Sequence, residues 1–257
     1  MSERRPPSAE DFDQWYANMA VTSSGDEVKR RFLGLPAHVL SSSLLAWDGL
    51  AEVVEALRLA PGDRLLDLAC GRGGYGLEIA ARTGVTLTGV DFSGEAITQA
   101  RGLARQRGIE AEFRVGDLAD TGLPPASVDA VVCVDSIQFK PDVASFQEIH
   151  RVLAPGGRVA LTTWEALDRT DERVMKLIRV VDTESALKQA GFVDVEVRDR
   201  PEWCSTERAL WDEAASLEPG DDPALQSLHD EALRVLPSFD LTRRVLATAS
   251  VGPNAGA

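Results

Sequence analysis

Short apolar runs along this chain alternate with stretches whose apolar positions recur every three or four residues. The runs predict buried strands at Leu65–Leu68, Thr86–Val90, Ala111–Val115, Val128–Val134 and Arg158–Thr163. The stretches between them predict helices. One covers Gly76–Arg82 and closes at Gly84; another is capped by Ser93, carries Ala96, Ala100 and Leu103 inward, and ends at Gly108. A third, Val143–Leu153, buries Val143, Phe146, Ile149 and Leu153. Regular strand–helix alternation means a parallel sheet with right-handed crossovers.

The pattern changes on either side of this block. Before it, Phe12, Trp15, Tyr16 and Met19 mark one face of a short helix over Asp11–Ala20. Gly25–Arg31 is charged and reads as a hinge or loop, and Asp48 reads as the N-cap of a helix over Gly49–Leu57. After it, a short helix over Ser185–Ala190 precedes Val193, Val195 and Val197, which alternate with polar residues as in a strand buried on one face. A helix over Ala224–Leu236 and a last strand near Arg244–Val251 follow.

Candidate chemistry concentrates at Leu65–Gly76, LLDLACGRGGYG: a strand, a glycine-rich turn and a helix start. Glycine serves where backbone passes close to a ligand or takes positive φ. Asp67 interrupts a strand that should be purely apolar, a costly placement unless its carboxylate organises the loop N–H groups or meets a cation. Asp91 ends the second strand twenty residues after Gly71, where an acid accepts hydrogen bonds from ribose hydroxyls. Gly71, Gly73 and Gly76 also satisfy the dinucleotide fingerprint, so a nicotinamide oxidoreductase stays open on this motif alone.

Five segments together are more specific: LLDLACGRGG at 65–74, GVDFS at 89–93, VGDL at 115–118, VDAVVCVDS at 128–136 and LAPGGRVAL at 153–161. In this order and spacing the chain resembles the class I S-adenosylmethionine-dependent methyltransferases, with Ala69 where that family often has glycine. The resemblance implies an α/β, Rossmann-like fold. Its seven-stranded, mostly parallel sheet has helices on both faces and a last strand inserted antiparallel beside the sixth. It divides the chain into an N-terminal helical cap (1–48), a methyltransferase domain (49–252) and a disordered tail (253–257). It also implies S-adenosyl-L-methionine as cofactor. Asp91 would meet the ribose, and Asp117, the Leu118 N–H and Phe92 the adenine. Gly71 and Arg72 would meet the methionine carboxylate, with Ala69 and the Cys133–Asp135 carbonyls on the ammonium.

Composition bounds the rest. The net charge of −14 disfavours nucleic acid and anionic membrane surfaces as partners. The three cysteines, Cys70, Cys133 and Cys204, match no disulfide framework or zinc spacing and suit a reducing, cytoplasmic setting. No apolar run reaches membrane-spanning length. Methyl transfer needs positioning and, for a hydroxyl or carbon acceptor, a general base. Relatives often carry histidine near position 138; here Gln138 stands there and an amide takes up no proton. Glu165, after the fifth strand, and His38 are the candidate catalytic residues, and Asp135 is a further acid past strand four. Tyr16, Gln138 and Trp164 are candidate substrate contacts, and Trp15, Trp47, Trp203 and Trp211 add to an apolar wall. No metal is expected, since no Asp-Asn pair follows strand five. The expectation is methylation of a small molecule in secondary metabolism, on oxygen before nitrogen or carbon. The alternatives are a cofactor-retaining enzyme that catalyses a cyclisation and a non-catalytic binding module on the same fold.

Overall fold

Seven strands form a single sheet in the order β3-β2-β1-β4-β5-β7-β6. They are β1 (Arg64–Leu68), β2 (Thr86–Asp91), β3 (Ala111–Val115), β4 (Val128–Val134), β5 (Leu153–Ala166), β6 (Val193–Asp199) and β7 (Thr242–Ser250). The first five run parallel, and β7 inserts antiparallel between β5 and β6. The structure, a computed structural model, describes residues 8–253. The expected disordered tail falls, over 254–257, outside the described residues, as do residues 1–7 of the cap.

Strand periodicity builds two cores. Leu65, Leu87, Ala130, Val132, Ala160 and Leu246 face one side of the sheet; their neighbours Leu66, Val90, Val131, Cys133, Leu161 and Ala247 face the other. Among the described residues the helices are α1 (Ala9–Met19), α2 (Ser24–Leu33), α3 (Trp47–Leu57), α4 (Gly74–Thr83), α5 (Gly94–Arg107), α6 (Val143–Val152), α7 (Lys176–Arg179), α8 (Thr183–Gln189), α9 (Pro201–Ser216) and α10 (Pro223–Val235). Leu50 and Val53 of α3, Leu77 and Ile79 of α4, and Leu210 and Trp211 of α9 cover the first core; Phe146 and Ile149 of α6 and Leu187 of α8 cover the second. No described helix is long and apolar enough to cross a membrane.

Several elements depart from the sequence reading, among them the short helix α7, which it did not include. Gly25–Arg31 lies inside a helix, α2, and is no hinge: Asp26 and Glu27 sit in its first turn, Arg30 and Arg31 in its last, and Gly34 ends it at φ 66. Helix α3 begins two residues earlier than expected, with Ala46 and not Asp48 as N-cap. Strand β5 runs on to Ala166 because β7 keeps pairing with it as far as Thr242. Helix α9, unread in the sequence, buries Trp203, Glu207, Leu210, Trp211 and Ala214 at helical spacing.

The order reverses at β1. Strands β2 and β3 extend to one side and β4 and β5 to the other. The crevice outside the carboxyl ends of β1 and β4 is therefore the switch point where ligands bind in open α/β sheets.

Candidate functional site

Two non-glycine residues in the left-handed region mark this crevice: Ala69 after β1, at φ 57, and Asp135 after β4, at φ 54. Such backbone costs about 1–2 kcal/mol per residue and collects at functional sites. Both residues line a cavity of ≈ 420 Å³. From Ala69, Gly71, Asp135 and Gln138 it extends to an aromatic wall made by Phe12, Trp15 and Tyr16 of α1, Phe139, Trp164, Trp211 and Phe239.

The glycine loop is built tightly at the donor end. The Gly76 N–H donates to Asp67 Oδ2 at 3.1 Å, and a Cβ at Gly76 would stand 2.4 Å from that oxygen. Burial pushes the Asp67 carboxyl up to about 7, with the Gly76 N–H opposing and the Asp91 charge reinforcing the shift. Gly71 donates its N–H to Asp91 Oδ2 at 2.8 Å, and Ser93 donates its N–H to Asp91 Oδ1 at 2.9 Å. Burial raises the Asp91 carboxyl against these two hydrogen bonds. A Cβ at Gly71, whose φ is 51, would stand 2.8 Å from the Tyr16 hydroxyl. Only glycine fits there, and its bare backbone faces the cavity.

An adenosyl ligand fits this donor set. Each Asp91 oxygen holds one backbone donor and keeps lone-pair capacity for a diol. Phe92 meets Phe12 edge-on at 4.9 Å between ring centroids, and Phe12 meets Phe139 at 5.4 Å, so α1 closes over the tip of β2. Asp117, just after β3, is 45% exposed and does not line the cavity; its Oδ1 accepts from Lys140 Nζ at 2.6 Å and from the Ala119 N–H at 2.9 Å. Against the burial that would raise it, those two donors hold the Asp117 carboxyl below its usual range. Leu118 packs beside it against the second core.

Several expected residues stand elsewhere. Arg72 turns away from the cavity: its buried guanidinium pairs with Asp26 of α2 at 2.5 Å and reaches the Ser41 carbonyl at 3.4 Å. The Cys133 side chain is buried in the second core, where desolvation raises its thiol, which leaves only its carbonyl, the group expected from the sequence, for a ligand at the end of β4. Glu165 does not overlook the crevice. It is a strand residue, and the alternation that turns Trp164 into the cavity turns Glu165 to the opposite face. There it pairs with Arg243 at 2.7 Å and accepts the Thr183 N–H at the start of α8. His38, half exposed, is paired with Glu78 at 3.0 Å and does not line the cavity. Gln138 does line it, with its amide spanning the Asp135 carbonyl (2.7 Å) and the Thr163 hydroxyl (3.0 Å). Trp15 and Trp211 join the wall, whereas Trp47 lies under the Arg82 guanidinium and Trp203 packs against Gly49.

Two buried charged positions beside the cavity escaped the sequence reading. Arg244 of β7, fully buried, stands 2.8 Å from Asp135 Oδ1 and 3.6 Å from Glu207 Oε2, with its guanidinium 4.1 Å over the Trp164 ring. Glu207 of α9 lines the cavity and accepts from the indole N–H groups of Trp164 and Trp211. Burial lifts Glu207 to about 7, with Arg244 the chief opposing charge. The available signal was an acid in the middle of an otherwise apolar helical face, Trp203–Leu210–Trp211.

Residues 65–157 match the family model described as a methyltransferase domain. Phosphoethanolamine N-methyltransferase 1 of Arabidopsis thaliana is 32% identical over 201 residues, 74% of this chain and 40% of that protein. The 27-O-demethylrifamycin SV methyltransferase of Amycolatopsis mediterranei is 28% identical over 168 residues, 57% of this chain and 62% of that protein. The chain thus spans about half the length of these curated relatives. Among solved structures, Haemonchus contortus phosphoethanolamine N-methyltransferase 2, with phosphomonomethylethanolamine and S-adenosylhomocysteine, superposes with a TM-score of 0.74 at 19% identity, covering 96% of this chain and 60% of that one. The [4+2]-cyclase SpnF gives 0.70 at 21% identity, covering 96% and 97%. At such identities the likeness is one of fold.

Proposed function

Since the chain belongs to the class I S-adenosylmethionine-dependent methyltransferases, we propose that it methylates a small, largely apolar molecule held in the aromatic cavity. The observation that carries this reading is the continuity of one cavity from Ala69, Gly71 and Asp135 to Trp164, Trp211 and Phe239. A donor at the strand tips and an acceptor against the indoles would share one cavity.

Bound there, the cofactor supplies a methyl group already activated on a sulfonium. Asp91 is the group to hold its ribose, Phe92 and Leu118 to flank its adenine, and Ala69, Gly71 and Asp135 to bound its methionine end. The protein's own contribution is orientation and exclusion of water. Tyr16, Phe12 and Trp15 cover the crevice from α1, and the Trp15 indole N–H ties that helix to Ser227 of α10 at 3.1 Å. Fixing two reactants in line can supply about 7–11 kcal/mol of a barrier in well-oriented systems. One relative is named for an N-methyl transfer and another for an O-demethylated acceptor; a neutral oxygen acceptor suits the charges of this cavity best.

The test is calorimetry with S-adenosylmethionine and S-adenosylhomocysteine, then S-adenosylhomocysteine formation with a panel of small acceptors. Binding in the micromolar range and acceptor-dependent product are expected; absence of binding heat from folded protein refutes the reading. A second reading draws on the nearly end-to-end likeness to a [4+2]-cyclase: the cofactor is retained and an apolar substrate rearranges. Substrate conversion without S-adenosylhomocysteine would establish it.

A further inference from the structure

We propose that Glu207 takes the proton from a neutral hydroxyl group on the methyl acceptor. The assignment rests on the methyltransferase reading above and names the acceptor class. Glu207 projects from the second turn of α9 into the cavity wall. Trp211 donates to Oε1 at 2.9 Å, and Trp164 donates to both oxygens, at 3.0 and 2.9 Å. A carboxylate has about four acceptor sites. One shared indole and an Arg244 nitrogen at 3.6 Å leave Oε2 able to accept from a ligand.

The position is as telling as the capacity. Arg244 bridges Glu207 to Asp135, which ends β4 at the donor side of the cavity. A single guanidinium therefore separates the Glu207 carboxylate from the strand tip that borders Ala69 and Gly71. Asp11 and Glu231 also line the cavity, from the covering helices α1 and α10; Asp135 and the two candidates read from the sequence do not compete with Glu207. Asp135 already accepts from the Thr162 hydroxyl at 2.7 Å and the Leu44 N–H at 2.9 Å, besides pairing with Arg244. Glu165 faces the opposite side of the sheet and His38 is held by Glu78.

The charge of Arg244 decides the acceptor class. A protonated amine approaching Glu207 would bring a second positive charge beside the buried guanidinium that already offsets Glu207 and Asp135, whereas a neutral hydroxyl brings none and needs only an acceptor oxygen. The groups acting on Glu207 are Arg244 from β7, Asp135 just after β4 and Cys204 one turn earlier on α9, and Asp11 of α1 with Glu231 and Arg234 of α10 line the same cavity. Burial against these leaves Glu207 with a proton affinity near neutrality, where a general base is most effective. In the step, the acceptor O–H bond breaks and its proton passes to Glu207. The oxygen pair forms the new O–CH3 bond, the C–S bond of the sulfonium donor breaks, and its pair stays on sulfur as a neutral thioether. Glu207 returns the proton to solvent when product leaves.

The experiment uses the full chain, wild type, Glu207→Gln and Glu207→Asp, with 2-naphthol as hydroxyl probe and benzylamine as amine probe. S-adenosylhomocysteine formation is followed from pH 5.5 to 9, cofactor affinity by calorimetry, and indole fluorescence of the cofactor-free protein against pH. Expected for wild type are methylation of 2-naphthol that rises with pH through about 7, no methylation of benzylamine, and a fluorescence midpoint near the same pH. Glu207→Gln should lose about 10²–10⁴-fold in kcat and lack both transitions, with cofactor affinity unchanged within about twofold. Glu207→Asp should recover part of the rate and keep a midpoint. A kcat for Glu207→Gln within about threefold of wild type, or preference for benzylamine, overturns the assignment while leaving methyl transfer intact. Binding of cofactor with no product from either probe in wild type overturns both.

Discussion

At Ala69 the backbone takes φ 57, a conformation that disfavours any side chain. The sequence showed alanine where the resembling family often has glycine and gave no reason to expect consequences. The dihedral angle supplies one: the strain is local and reversible by substitution. Ala69→Gly should stabilise the protein by about 0.5–1 kcal/mol, the relief of left-handed strain less the added freedom of the unfolded chain. Chemical denaturation with unchanged slope checks it; a loss of stability would mean that the methyl group packs usefully. Asp67 invites a second measurement. Its carboxyl, raised to about 7 in the fold and near 4 when unfolded, binds a proton in the native state first. The stability this gives is present in acid and disappears as pH rises from about 4 through 7. Asp67→Asn, which cannot ionise, should therefore gain in melting temperature relative to wild type between pH 5 and pH 8. A constant difference across that range would show that Asp67 stays ionised in the fold.

Among the elements, the parallel strands were legible because both faces of β1, β2 and β4 are buried, which forces continuous apolar runs. The covering helices were less so, for reasons visible in particular residues. The buried positions of α2 are Gly25, Lys29 and Leu33, so its inward stripe looks polar in sequence. Gly25 lies against Ala224 of α10, and Lys29 holds its ammonium 5.8 Å from the Trp15 ring centroid; size and cation–π contact replace hydrophobicity as the packing code. For β5, ending the strand at Thr163 put Glu165 in a loop; three more pairs with β7 reverse its direction and remove it from the crevice. Helix α1 was legible from its aromatic face, but not its anchor. Asp13 accepts from the Ser93 hydroxyl at 2.5 Å and the Glu95 N–H at 3.1 Å, pinning α1 to the start of α5. Those donors hold the Asp13 carboxyl below its usual range. Asp13→Ala should cost about 0.5–2 kcal/mol locally and speed amide hydrogen exchange across Ala9–Met19, while exchange in β1 and β4 stays slow. Equal protection of α1 in both proteins would place its anchor in the Phe12 and Trp15 contacts instead.

The whole molecule joins a covering layer of α1, α2, α9 and α10 to the sheet at a buried ion cluster. Arg244 from β7, Asp135 from β4 and Glu207 from α9 come from positions 135, 207 and 244, far apart in sequence. No local pattern announces such a cluster, because it exists only once β7 has inserted beside β5 and laid Arg244 across from Trp164. The same assembly makes the cavity a joint property of sheet and cover, so ligand binding should be felt as global stability. With S-adenosylmethionine at about 100 times its dissociation constant, linkage adds about 2.7 kcal/mol. For a chain of this size that corresponds to a rise in melting temperature of about 5–10 °C. NAD at the same concentration should give none, since the dinucleotide reading rests on the Gly71–Gly76 spacing alone. Asp91→Ala should remove most of the S-adenosylmethionine shift, because one charge-assisted hydrogen-bonding site is worth about tenfold in affinity or more. Differential scanning fluorimetry of both proteins with both ligands decides the matter. A shift with NAD, or one with S-adenosylmethionine that survives Asp91→Ala in full, would move the nucleoside away from the tip of β2.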